Sequence, residues 1–245
     1  MTERYFVDQA LTSGRALLTG AEAHHLLHVM RAQVGQEVML FDGSGVEYLA
    51  EVRRLGRTEA ELVVLESHRV NREICSAVIL GIALPKGDRQ KWLIEKAVEL
   101  GVSRIVPLRT TRSVAQPVRQ ALDRLRRTVI EASKQCGRNR LLELAEPADW
   151  QDFVSACQDI PQRYLAHPIG SSRPGCASQG PGFVAAEKSV VFAIGPEGGF
   201  TGDEVAWAAA QSWRCLDLGP RILRVETAAL LLAALAAQHQ AHTEA

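Results

Sequence analysis

The feature that most constrains the fold is a change of rhythm near residue 70. Within residues 36–67 the chain reads EVMLFDG, VEYLAEVRRL and EAELVVLES, short alternating runs broken at Asp42-Gly43-Ser44-Gly45 and at Gly56-Arg57. Period-two alternation between turn formers predicts the strands of a small β unit. Leu27, Met30 and Val34, at helical spacing, add one short helix over residues 21–31. After a hydrophilic link, HRVNRE at residues 68–73, the pattern becomes apolar strand, loop and amphipathic helix: AVILGIAL, a helix over 91–100, then SRIVPL. That alternation predicts an α/β domain on a mainly parallel sheet. The expected division is therefore 1–70 and 73–245.

Further along, residues 118–136 place Leu122, Leu125, Val129 and Cys136 on one helical stripe, leaving Arg119, Arg126, Arg127 and Lys134 mostly off it. Strands are expected at 163–166, 189–194 and 214–218, and helices from about Asp203 and Glu226. Residues 167–182, rich in Gly, Ser and Pro, read as a flexible loop. The run AALLLAALAA at 228–237 is half the length of a membrane span and reads as a buried helix. No apolar core of an export signal opens the chain, and five scattered cysteines contain no C-x-x-C pair, so a cytoplasmic location is expected.

The net charge of zero conceals a concentration: residues 112–140 carry eight Lys or Arg against Asp123 and Glu131. A neutral protein with one basic element points to local phosphate contact, although a solvated helix face fits the same run.

Two strand-to-helix junctions carry the strongest local signals. In VVFAIGPEGGFTGDEV a strand runs into Gly195-Pro196-Glu197-Gly198-Gly199, and Thr201 with Glu204 has the spacing of a capping box. Glycines at a strand end let backbone approach a ligand, and the C-terminal edge of a parallel sheet is where such ligands sit. A plain tight turn is the other reading. The loop matches neither G-x-G-x-x-G nor a P-loop. In LDLGPRILRVETAALLLAALAAQ, residues 219–224 lie between two apolar elements and are placed to recognise a flat heteroaromatic ring, while Arg224 alternatively pairs with Glu226. KGDR at 86–89 and SKQCGRNR at 133–140 add basic groups near helix ends, where RNA contact and C-capping both fit. His24, His25 and His28 lack a carboxylate or cysteine at a spacing that would complete a metal site, so no metal is expected.

HHLLHVMR, KGDR with EKAVELGVSRIVPL, KQCGRNR, GPEGGFTGDE and LGPRILRVETAAL occur in this order over nearly the whole chain. Together they resemble the RsmE family, SPOUT-class methyltransferases that modify the uracil N3 of a decoding-region uridine in 16S rRNA. The resemblance implies an α/β SPOUT domain with a C-terminal trefoil knot, preceded by a small PUA-like β-barrel domain for RNA binding. It implies S-adenosylmethionine (SAM) as methyl donor, held by Leu165, His167, Gly195, Pro196, Glu197, Gly198, Gly199, Leu218, Gly219, Ile222, Leu223 and Arg224. It also implies a homodimer and RNA contacts from Arg4, Arg112, Arg138 and Arg140, with Arg138 and Arg224 the expected catalytic groups. Lys134 stands where an acidic residue is expected, and Val225 where threonine is common. Two rival readings are a methyltransferase for another RNA and a non-catalytic RNA-binding ribosome assembly factor.

Overall fold

The computed structural model describes residues 3–9, 11, 14–113, 119–168 and 189–241. The chain forms two compact units, residues 1–73 with 130–141, and residues 74–129 with 142–245.

The first unit is a five-stranded sheet: β1 (Arg4–Phe6), β2 (Arg15–Leu18), β3 (Glu37–Phe41), β4 (Val46–Leu55) and β5 (Ala60–Arg69), in the order β1-β3-β4-β5-β2. Only β1 and β3 run parallel; the other pairs are antiparallel. Alternation along these strands sends Val38, Leu40, Ala50, Val52 and Leu62 into one core with Tyr5 and Leu18. The expected helix over 21–31 is shorter: α1 (Gly20–His24) passes into a π-helical turn (His25–Val29), and Arg31 takes a left-handed φ of 51°. Leu26 is fully buried from that turn, while Val29 and Met30 face solvent.

Residues 130–141 belong to this unit because buried polar groups stitch them there. Arg4 and Arg72 both bind Glu47, and each also donates to the Gly137 carbonyl, at 3.2 and 3.0 Å. Asn139, fully buried, donates to the carbonyls of Val70 (2.8 Å) and Gly45 (3.3 Å). Lys134 reaches Glu22 at 3.0 Å, both side chains largely buried, and its ammonium lies over the Tyr5 ring. The cation at 134 is thus balanced by a carboxylate from α1.

The second unit is a parallel sheet: β6 (Ala77–Ile82), β7 (Arg104–Arg109), β8 (Glu143–Leu144), β9 (Ala148–Asp149), β10 (Gln162–Ala166), β11 (Ser189–Ile194) and β12 (Arg214–Leu216). The strand order is β12-β10-β11-β6-β7-β8, with β9 also on β7. Its helices are α2 (Arg89–Glu99), the first turns of α3 (Arg119–Cys136), α4 (Trp150–Ala156), α5 (Gly202–Ala210) and α6 (Val225–Ala241). The stripe foreseen for α3 is buried at Leu122, Leu125 and Val129. α6 is not covered on all sides as its composition predicts: Ala229, Leu232 and Ala233 are fully buried, whereas Leu231 is 38% exposed.

Beside the sheet, Trp150 and Phe153 of α4 form an aromatic cluster with Phe200 and Trp213, their ring centroids 4.6 to 6.4 Å apart. Burying rings of this size contributes about 2–3 kcal/mol each. Gly81 in β6 leaves the room they need: a Cβ there would lie 2.3 Å from Phe153 Cζ. This packing fixes the strand ends, and with them the loops that follow.

Candidate functional site

A cleft opens at the C-terminal ends of β10, β11 and β12, enclosing about 660 Å³ of empty space with its mouth included. Three chain segments wall it: residues 166–168 after β10, residues 194–199 after β11, and residues 216–228, from the end of β12 into α6.

The middle segment is the glycine loop. Its turn is closed by the Gly199 amide donating to the Pro196 carbonyl at 2.7 Å, with Gly199 at a φ of 67° that only glycine adopts without strain. Gly195 leaves space for Phe200, whose ring carbons would meet a Cβ at 3.0 Å. Thr201 and Glu204 form the foreseen capping box: Thr201 Oγ1 accepts from the Glu204 amide at 3.2 Å, and Glu204 accepts from the Thr201 amide at 2.7 Å. The second oxygen of Glu204 accepts from the Thr111 amide at 2.8 Å, tying the turn after β7 to α5. Burial would raise the Glu204 carboxyl, but these backbone donors outweigh it and hold the group below its ordinary value of 4.5.

The third segment begins with an Asx turn, the Gly219 amide donating to Asp217 Oδ1 at 2.9 Å with Gly219 at a φ of 99°. Glu226, 5% exposed at the start of α6, does not pair with Arg224. It lies 3.6 Å from Arg89, which also meets Glu197 at 3.3 Å. One guanidinium from the KGDR segment thus bridges the glycine loop and the base of the third segment.

Of the residues expected to hold the donor, His167, Gly195, Pro196, Glu197, Gly199, Leu218, Gly219, Ile222 and Leu223 line this one cleft. Leu165 does not: period two along β10 turns it into the core, where it is 1% exposed, and the cleft takes its neighbour Ala166. Gly198 lies beside the cleft under Arg112, which donates to its carbonyl at 2.6 Å. Arg224 is exposed next to the lining residue Leu223. Sequence reasoning missed Asp217, although D-x-G is a recognisable Asx-turn signal; it placed Arg221 only within the 219–224 segment, and it read Arg89 only as part of a basic segment fitting RNA contact.

The arginines expected to face RNA divide sharply. Arg112 and Arg140 are exposed. Arg4 is committed to Glu47 with its side chain 16% exposed, and it also lies over the Phe41 ring. Arg138 is 4% exposed and bound to Glu73. The reason lies in the energetics of burial, which leaves a guanidinium stable inside only when a carboxylate neutralises it. The His24 and His28 rings lie 4.9 Å apart, tilted by 53°, and no group of three potential metal ligands occurs among the described residues.

The model of an RNA methyltransferase domain matches residues 72–237, and that of an RNA methyltransferase PUA domain matches 18–65. The ribosomal RNA small subunit methyltransferase E of Bacillus subtilis is 31% identical over 93% of each chain. A methyltransferase of Legionella pneumophila, solved with its cofactor SAM bound, superimposes with a TM-score of 0.86 at 29% identity, covering 99% of this chain and 98% of its own. The ribosomal RNA small subunit methyltransferase E of Neisseria gonorrhoeae, solved bound to S-adenosyl methionine, gives 0.83 at 26%, with 96% of each chain covered. A PUA-like sheet and a parallel sheet with a looped cleft at its C-terminal edge define an RNA methyltransferase of SPOUT type. Within that class, the chain belongs to the RsmE family of ribosomal RNA small subunit methyltransferases.

Proposed function

We propose that this protein methylates 16S rRNA in the small ribosomal subunit at the N3 of one decoding-region uridine, with SAM as donor. The observation that carries the reading is the convergence of three separated segments, after β10, β11 and β12, on one cleft. Relatives of the same fold were solved with SAM bound, and the Bacillus subtilis relative is named for small-subunit rRNA.

The lining suits that donor. Apolar side chains of Ile194, Leu216, Leu223 and Val225 offer a surface for a flat base, and the glycine-containing turns at 195–199 and 217–219 expose backbone groups for its polar edge. Asp217 gives the cleft a carboxylate that favours a cationic group of the ligand. SAM supplies a methyl group already activated by its sulfonium. The chain's own residues then hold the two reactants in line and offset charge on the uracil as N3 loses its proton. Arg224, exposed beside the cleft, is the residue proposed to stabilise that charge. Arg112 and Arg140 contact the RNA backbone. Arg138 positions the 137–140 segment through Glu73 instead of touching the base.

The proposal includes a trefoil knot and a homodimer. Residues 169–188, which include most of the loop expected at 167–182, lie outside the described residues. For the dimer, the support is Ile222, an apolar lining residue 96% exposed. No helix among the described residues is long and apolar enough to cross a membrane. The proposed ribosomal substrate accords with a cytoplasmic location.

The test is transfer from labelled SAM to purified small subunits that lack the modification. Label entering 16S rRNA is the expected result. Donor binding without transfer to subunits or naked 16S rRNA would redirect the reading to another RNA, and loss of donor binding too would favour an assembly factor.

A further inference from the structure

A second cleft adjoins the donor cleft on the other side of the glycine loop. Pro196 and Glu197 line both. The second cleft has an apolar floor of Ala83 and Leu84, after β6, and its polar wall carries Lys86, Arg89 and Ser113. The KGDR segment, which the donor site leaves unexplained, thus lies along the same sheet edge as the donor loops.

The charges in this cleft are unequal in availability. Arg89 is spent on Glu197 and Glu226, at 3.3 and 3.6 Å. Ser113 is engaged in its own turn, 2.9 Å from Thr110 Oγ1 and accepting from the Thr110 amide at 3.0 Å. Lys86 is exposed, and among the described residues no carboxylate lies within ion-pair distance of it. Arg112, on the turn after β7, is likewise exposed and, among the described residues, donates to the Gly198 carbonyl. Arg89 is shared between two carboxylates, so of the two cations that line the cleft only Lys86 has no carboxylate partner among the described residues.

We infer that this cleft is a phosphate subsite for the RNA acceptor, with Lys86 as the cation that meets a backbone phosphate and Arg89 as the positioning residue that pairs with Glu197. The inference rests on the methyltransferase reading above. A nucleotide carries its base and its phosphate on one sugar, so a base presented to the donor cleft brings a phosphate alongside it. A phosphate that entered beside an unpaired Glu197 would be repelled; the Arg89 bridge, shared with Glu226, reduces that repulsion. Phosphate contacts of this kind set register without reading sequence.

The experiment uses the full chain, unmodified small subunits as the RNA probe, and SAM affinity measured separately. Lys86→Ala should weaken subunit binding about five- to tenfold near 0.1 M salt and shrink the log–log salt slope by about 0.7–0.9, the signature of one lost phosphate contact. SAM affinity should change less than twofold, and Lys86→Arg should restore both RNA affinity and slope. An unchanged slope and RNA affinity in Lys86→Ala would overturn the subsite. So would a loss confined to SAM affinity, which would assign Lys86 to the donor cleft. Failure of the methyltransferase reading itself shows in the unsubstituted protein, as absence of transfer, and is thereby distinguished from failure at Lys86.

Discussion

The Arg138 guanidinium grips the Glu73 carboxylate with two hydrogen bonds, Nε to Oε1 at 3.0 Å and Nη2 to Oε2 at 2.5 Å, with side chains 5% and 16% exposed. Removing the guanidinium strands a carboxylate that is mostly out of water. Arg138→Ala is expected to cost about 3–5 kcal/mol of folding stability, read from denaturant unfolding, whereas replacing both partners by apolar residues of similar volume should cost much less. A stable Arg138→Ala protein that had lost only methylation would return Arg138 to the uracil.

Gly219, at a φ of 99°, closes the Asx turn that shapes one wall of the donor cleft. No atom lies within 4 Å of where its Cβ would stand, so the penalty for a side chain is conformational and not steric crowding. Gly219→Ala should let the exposed turn relax in the free protein, so that the strain of roughly 1–2 kcal/mol is met on binding: the SAM dissociation constant should rise about tenfold with the melting transition little changed. Calorimetric titration with SAM reads this directly.

Acid should weaken the fold through two carboxylates. Burial pushes Glu47 up and the Arg72 and Arg4 guanidiniums pull it down further; Glu204 is treated the same way by burial and its backbone donors, so both lie below 4.5 when folded. A folded-state pKa below the unfolded one stabilises the ionised form, so this contribution is complete above about pH 4.5 and drains away as pH falls through the folded values. Glu204→Gln, which can accept at only one of the two oxygens now used, should lower stability at neutral pH and flatten the acid limb of a stability–pH curve. An acid limb as steep as the parent's would remove Glu204 from the account.

Ile222 tests the homodimer. Ile222→Glu places a charge on a side chain that already stands 96% exposed, so the isolated chain should fold unchanged. Sedimentation should show the parent as a dimer and the variant shifted toward monomer, with donor affinity falling alongside. A monomeric parent with full SAM affinity would contradict the dimer.

Much of the second unit was legible because its periods are clean. β6, β7, β10 and β11 are short apolar runs, and Thr201 with Glu204 marks the start of α5 by local spacing alone. Two of the three segments of the donor cleft were legible from their glycines, at 195–199 and 219–224; the segment after β10, Ala166-His167-Pro168, has no glycine and was implied only by the family resemblance. β1 and β2 were not, being three and four residues long, too short for alternation to register. α4 was missed for a related reason: its seven residues hold Trp150, Phe153 and Val154 inward, two turns of signal against an irregular background. The fates of Arg4 and Arg138 were hidden more deeply. Their partners Glu47 and Glu73 lie 43 and 65 residues away, so a basic run reads as solvated until the fold brings the carboxylates in. Arg89 shows the converse, a surface-looking cation whose contacts with Glu197 and Glu226 join two loops distant in sequence.

The most direct test of the central claim is nucleoside analysis of 16S rRNA after unmodified small subunits are incubated with the protein and SAM. The account predicts one new methylated nucleoside, N3-methyluridine, mapping to a single decoding-region position and absent when the protein is omitted. Methylation at C5 or at a ribose hydroxyl, or a product spread over many sites, would contradict it.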